Sequence, residues 1–341
     1  MKNILYSVFV AIIPFLNIAQ TSTDFSAKKP CYERSKSSKR GVDWQCGRTP
    51  GIVDCNEKLT YDPDRKLILS GNNGAAFSGT CETCHMNGLI ERRISFVNGK
   101  ENGIDTTYYA SGCPQIVRNH IQGAESGKWS FFYDSTMQIA WEMNYSLGLK
   151  DGKQLYLTKN GDTTRFEFYK GGKLNGVKRS YYPENRIEKH IEYKDGMIDG
   201  SFKSYSKEGV LLQELGFKKG KKHGELKYYF EDGSLVSLEH WNMDIKDGEF
   251  ISYFEGGILR QKESYRKGIP EGWSEEHWPD GKFKRKARYD KGAVVEEYRY
   301  DEFGVENYRF GVEEKSSGDE DDQVPMEQKK GKKKPKKEDG N

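Results

Sequence analysis

The feature that most constrains this chain is a glycine that returns on a fixed period. From Gly79 it recurs at 103, 127, 152, 176, 200, 224, 248 and 272, in steps of 24 residues with a single step of 25. Two further glycine columns follow the same lattice. One lies nine residues on, as in Gly88, Gly112, Gly161 and Gly209, and the other twenty residues on, as in Gly99, Gly123, Gly172 and Gly196. Glycine at fixed places marks turns that need positive φ, and a fixed period marks a repeat array in which each unit packs mainly on its neighbours. Positions within a repeat are counted here from the first glycine as position 0.

Aromatic residues fill the intervals. Position 5 holds Tyr108, Phe132, Tyr181, Tyr205, Tyr229, Tyr253 and His277, and position 17 holds Phe96, Tyr169, Tyr193, Phe217, Trp241, Tyr265 and Tyr289. Each unit therefore reads as strand, turn, strand, turn. The Asp232-Gly233 pair in "YYFEDGSLVSLEHW" predicts a two-residue hairpin turn with positive φ at both positions. With 35% hydrophobic residues, 31% charged residues and a mean hydropathy of −0.88, the chain lacks the apolar content of a large compact core. The predicted fold class is all-β: an elongated antiparallel meander of about nine to ten 24-residue β-hairpin repeats over residues 77–310.

The stretch "YKDGMIDGSFKSYSKEGVLLQELGFKKGKKHGELKYYFEDGSL" resembles the bacterial MORN-repeat variant (membrane occupation and recognition nexus), the repeat of the YwqK family. The resemblance covers about residues 77–305 and rests on the recurring aromatic-x-x-Gly-x-x-x-Gly phrase. It implies a β-hairpin repeat used for binding or scaffolding, and it implies no reaction. Members of that family are often assigned as antitoxins of toxin–antitoxin systems. That role sits badly with the N-terminus.

The first 19 residues, "MKNILYSVFVAIIPFLNIA", combine Lys2, an apolar run from Ile4 to Leu16 and a small residue at Ala19, the pattern of a secretory signal peptide cleaved near Gln20. The run is broken by Pro14 and Asn17 and is short for a membrane span. The expected localisation is therefore exported: periplasmic, cell surface or secreted. Residues 20–76 carry Cys31, Cys46 and Cys55 without a period and read as a small cap on the first hairpin. All six cysteines, with Cys81, Cys84 and Cys113, precede residue 114, as suits a disulfide-stapled head, but the sequence does not choose their pairing. Residues 311–341 pass from an acidic block (Asp319 to Asp322) to the lysine-rich "QKKGKKKPKK" and read as a disordered tail.

One motif points elsewhere. Cys81-Glu82-Thr83-Cys84-His85 has the C-x-x-C-H pattern of covalent haem attachment. Its residues occupy positions 2, 5 and 6 of the first repeat, where other repeats hold strand and aromatic residues. Cysteines three apart on a strand project to opposite faces, whereas haem needs both thiols on one side of a tight turn. Structural or disulfide cysteines are the favoured reading. A zinc set from Cys81, Cys84, Cys113 and His120 has no standard spacing and would span about three strands, ~14 Å. The six histidines fall at unrelated positions, and no nucleophile elbow, phosphate loop or metal-binding helix is present. The sequence therefore predicts no enzyme, no cofactor and no metal.

A net charge of +3 from 55 basic and 52 acidic residues gives no field that calls for nucleic acid. What remains is surface. The expected function is an exported scaffold that binds a protein or cell-envelope macromolecule along an aromatic-rich sheet, without requiring a membrane. Tyr108, Phe132, Tyr181, Tyr205, Tyr229 and Tyr253 are the candidate binding residues. Alternatives are a glycan-binding module, an antitoxin of the YwqK type, and a redox or haem protein built on Cys81, Cys84 and His85. Positions 5 and 6 face opposite sides of the sheet. A strict two-residue turn would pair position 6 with position 11, and one bulge residue would pair position 5 with it instead.

Overall fold

The computed structural model describes residues 49–71 and 74–311. The signal-like segment, residues 20–48 of the cap, Cys31 and Cys46, and the tail from 312 onward lie outside the described residues. Within them the regular structure is nearly all strand, with a four-residue helical turn at Cys55–Lys58 and a 3-10 turn at Pro183–Asn185. It divides into two compact units, one running to His223 with 231–233, the other comprising 224–230 and 234 onward.

In the first unit the strands run as an antiparallel meander from Gly79–Cys84 to Leu211–Lys218, each repeat strand pairing with the next. The second unit has the same order from Leu235–Asn242 through Ile245–Tyr253, Leu259–Arg266, Gly272–His277, Phe283–Asp290 and Ala293–Tyr300 to Glu306–Phe310. Pairing of sequence neighbours is what a chain of short alternating strands and tight turns dictates.

The two turns of each repeat differ, and they reverse the expectation for Asp232-Gly233. Only Gly233 there has positive φ (84°). The same turn in the preceding repeat shows why: Gly209 N–H donates to the Ser206 carbonyl (3.1 Å) and Ser206 N–H to the Val210 carbonyl (2.8 Å), with Gly209 at φ 90°. This is a type I turn closed by a left-handed glycine bulge. The two-residue turn with both φ positive stands at positions 19 and 20 instead, as in Asp195-Gly196 (52° and 87°) and Lys267-Gly268 (50° and 83°). The 25-residue step has a local cause. The Tyr133 N–H reaches the Gln138 carbonyl, one residue further than in the Ser206 turn.

A bulge also settles the register. It falls between positions 4 and 5 and pairs position 5 with position 11: Tyr181 with Ile187, Tyr205 with Leu211, Tyr253 with Leu259. Positions 2, 4, 13, 15 and 17 consequently share one face, called here the ring face. At Gly248 the position-0 glycine is also sterically required. A Cβ on Gly248, at φ 120°, would stand 2.8 Å from the Cβ of His240.

The start of the meander is covered. Strand Ile52–Asp54 adds in parallel to Gly79–Cys84, and Cys55 is joined to Cys81 by a disulfide. Cys81, Ile94 and Phe96 form a buried cluster under Val53, Cys55, Leu59, Ile68 and Phe77. Next along the ring face, Asp105 is fully buried and accepts from Arg92 (2.9 Å) and Arg118 (2.6 Å). Such a charge is tolerated only because both guanidiniums replace its water.

Candidate functional site

The C-x-x-C-H motif resolves into three structural roles. Cys81 is 1% exposed and committed to Cys55, so it has no thiol to form a haem thioether. Cys84 and Cys113 are disulfide-bonded as well. His85 Nε2 lies 2.9 Å from the Tyr108 carbonyl oxygen, to which its N–H donates. Its equivalents do the same with hydroxyls: Tyr109 donates to the Phe132 carbonyl (2.9 Å), Tyr133 to Leu157 (3.0 Å) and Tyr182 to Tyr205 (3.3 Å). Where position 6 carries a side-chain donor it thus ties one hairpin to the next, and His85 replaces a tyrosine in that tie.

The six candidate binding residues, Tyr108, Phe132, Tyr181, Tyr205, Tyr229 and Tyr253, are all half-buried. They sit at the bulged ends of their strands on the face opposite the rings, alternating with position 11 residues such as Ile187 and Leu211 in an apolar band. The second unit displays the same side at its end, where Lys286 lies over both Trp273 (4.6 Å) and Phe283 (5.7 Å).

The ring face of the second unit holds a more specific arrangement, which the sequence reading did not single out. Three rows run across strands Leu235–Asn242, Ile245–Tyr253 and Leu259–Arg266. The middle row is Glu239, Phe250 and Glu263, in direct register. On one side lie Ser237, Ser252 and Gln261, and on the other, past a register shift, Trp241 pairs with Lys246 and Gly248 with Tyr265. Together Ser237, Glu239, Phe250, Ser252, Gln261 and Glu263 line a trough open to solvent. Glu263 also lines an adjoining hollow with Tyr265, Glu271, Ser274 and Tyr289.

The chemistry of this trough is acidic and aromatic. Trp241 Nε1 donates to Glu239 (2.8 Å) and the Tyr265 hydroxyl to Glu263 (2.9 Å). Neither carboxylate enters an ion pair among the described residues, although charged residues elsewhere on the ring face do. Glu167, for example, meets Lys178 at 3.2 Å, and Glu297 meets Arg285 and Arg299 at 2.8 Å each. Two tyrosines stand against these carboxylates. Burial, and then the hydrogen bond to Glu263 and its charge, push the Tyr265 hydroxyl up to about 12, and burial with the Glu239 charge raises Tyr228. The Lys246 ammonium lies 4.6 Å from the Phe250 ring centroid and 4.4 Å from that of Tyr265, so these rings already hold one cation.

Known proteins add no family. No family model and no curated protein matches the chain. Among solved structures it is similar to a TcdB2-TccC3-TEV crystal structure at 11% identity and a TM-score of 0.17, covering 67% of this chain and 15% of that one. A TcdB2-TccC3 structure gives 12%, 0.14, 69% and 18%. A Photorhabdus luminescens Tc holotoxin pore carrying a TccC3 mutation gives 11%, 0.14, 68% and 18%. The chain spans less than a fifth of the length of these three, and likenesses this distant carry no argument.

The trough escaped sequence reasoning because its key residues stand at position 15. In the first unit the corresponding row is Ile191, Phe202 and Leu215, a plain apolar row. The signal was present as two glutamates in place of Ile and Leu. It becomes readable only once the bulge fixes which residues share a face.

Proposed function

We propose that this chain is an exported, non-enzymatic repeat scaffold that binds another macromolecule on its sheet, with the trough around Glu239, Phe250 and Glu263 as the main contact surface. The observation that carries this reading is a departure from the repeat's own rule. A row that is Ile191, Phe202 and Leu215 in one unit becomes Glu239, Phe250 and Glu263 in the other, and its carboxylates enter no ion pair among the described residues. Placing two like charges on either side of a ring, where aliphatic side chains would pack, costs stability, and such costs persist at binding surfaces. Rings flanked by carboxylates suit a protein partner that presents lysine or arginine. The apolar band of Tyr181, Tyr205, Ile187 and Leu211 offers a second contact surface on the other face of the first unit. The resemblance to MORN-variant repeats and the signal-like N-terminus support the scaffold and export parts of this reading.

A glycan is the second reading, favoured by Ser237, Ser252 and Gln261 beside the Phe250 ring. The test is capture from the native cell envelope by the full chain and by the Glu239→Gln, Glu263→Gln double variant. The scaffold reading expects a partner held by the parent chain, resistant to glycosidase treatment and lost with the variant. Loss of capture on glycosidase treatment moves the reading to a glycan, and equal capture by both chains removes the trough from it.

A further inference from the structure

We infer that the trough of the second unit has an occupant within the same chain, the lysine block Lys329–Lys337, which docks there in competition with an external partner. This rests on the reading of the trough as a binding surface and adds its regulation. Three observations converge. The first is charge: Glu239 and Glu263 enter no ion pair among the described residues, and the sequence beyond Gly311 carries seven lysines in nine residues, "KKGKKKPKK". Second, the adjoining hollow holds a further acceptor. Ser274, 6% exposed as a residue, lines the hollow beside Glu263. A serine oxygen beside a carboxylate is a complete pair of acceptors for one ammonium group. Third, the rings of Phe250 and Tyr265 already carry the ammonium of Lys246, so this surface demonstrably accommodates a lysine head.

Reach is sufficient. Strand Glu306–Phe310 is four strand steps from Leu259–Arg266 and six from Leu235–Asn242 along the paired order of the second unit. At about 4.8 Å per step these are roughly 19 and 29 Å. The 18 residues from Gly311 to Lys329 span up to ~60 Å when extended. The block can therefore lie across the trough with chain to spare, at an effective concentration that a free peptide does not match. The competitor is the tail's own acidic block, Asp319 to Asp322, which is closer in sequence but offers no rings.

Carbodiimide crosslinking of the full chain followed by peptide mass spectrometry decides the matter, because it joins only carboxylates and amines already in contact. Amide links from Glu239 or Glu263 to lysines 329–337 are expected, unchanged on dilution and lost in high salt. Trypsin cleavage within 329–337 should be about tenfold faster in the Glu239→Gln, Glu263→Gln variant than in the parent, the ratio that 1.4 kcal/mol of docking confers. Links from the lysine block to Asp319–Asp322 alone, links that grow with protein concentration, or equal cleavage of the two chains would each overturn the proposal. Docking without capture of any external partner, either by the full chain or by a variant with lysines 329–337 changed to glutamine, leaves the docking standing and sinks the scaffold reading. Capture through the trough with the lysines uncrosslinked does the reverse.

Discussion

The imidazole of His85 donates to the carbonyl of Tyr108, 23 residues further on, in the place where Tyr109 reaches Phe132. A residue that looked like a haem ligand is thus a repeat tie made with a different donor. His85→Tyr should leave stability within ~0.5 kcal/mol of the parent, since it restores the donor used by other repeats, while His85→Ala should cost ~1 kcal/mol. Chemical denaturation of the three proteins reads the difference. Equal loss in both variants would mean that the ring, not the hydrogen bond, matters.

The Cys55–Cys81 disulfide closes a 26-residue separation and holds the described part of the cap on Ile94 and Phe96. Replacing both cysteines with serine should remove ~3 kcal/mol and expose residues 49–76 to protease before the repeats. Mass spectrometry of the first fragments released checks the order.

Asp105 is the most consequential buried charge of the first unit, with Arg92 and Arg118 both donating to it. Asp105→Ala leaves two guanidiniums facing each other without their anion and should cost about 3–5 kcal/mol. Replacing Arg118 as well should recover part of that loss, which a double-mutant cycle on unfolding midpoints measures.

Tyr265 should be among the last tyrosines to ionise, near 12, in a titration followed by its phenolate absorbance. Because its folded value is raised, the neutral form is the one the fold favours. Its contribution is complete below the ordinary value near 10 and fades as pH climbs through 10 to 12. Glu263→Gln removes the charge and the charged acceptor, so the Tyr265 ionisation should move down. An unchanged titration would mean that burial alone sets it.

The repeat, its boundaries and its turn positions were legible because glycine at positive φ is a local requirement that leaves its mark in sequence. The turn types were not. Both turns carry glycine, and what distinguishes Asp195-Gly196 from Asp232-Gly233 is whether the residue before glycine also turns left-handed. The binding surface was the least legible. Tyr181, Tyr205, Tyr229 and Tyr253 stood out because they recur, yet faithful recurrence marks what every hairpin needs. Glu239 and Glu263 carry their meaning by breaking a row, and the row is visible only through pairings such as Ile191 with Phe202 and Glu239 with Phe250.

The claim at the centre of this account is that Glu239 and Glu263 serve binding at the expense of packing. The most direct measurement is the melting temperature and partner capture of the Glu239→Ile, Glu263→Leu double variant, which gives this row the side chains found at Ile191 and Leu215. The account predicts a gain of ~1–2 kcal/mol in stability, seen as a rise of several degrees, together with loss of capture. A variant that melts lower than the parent, or that captures the partner as well as the parent does, would contradict it.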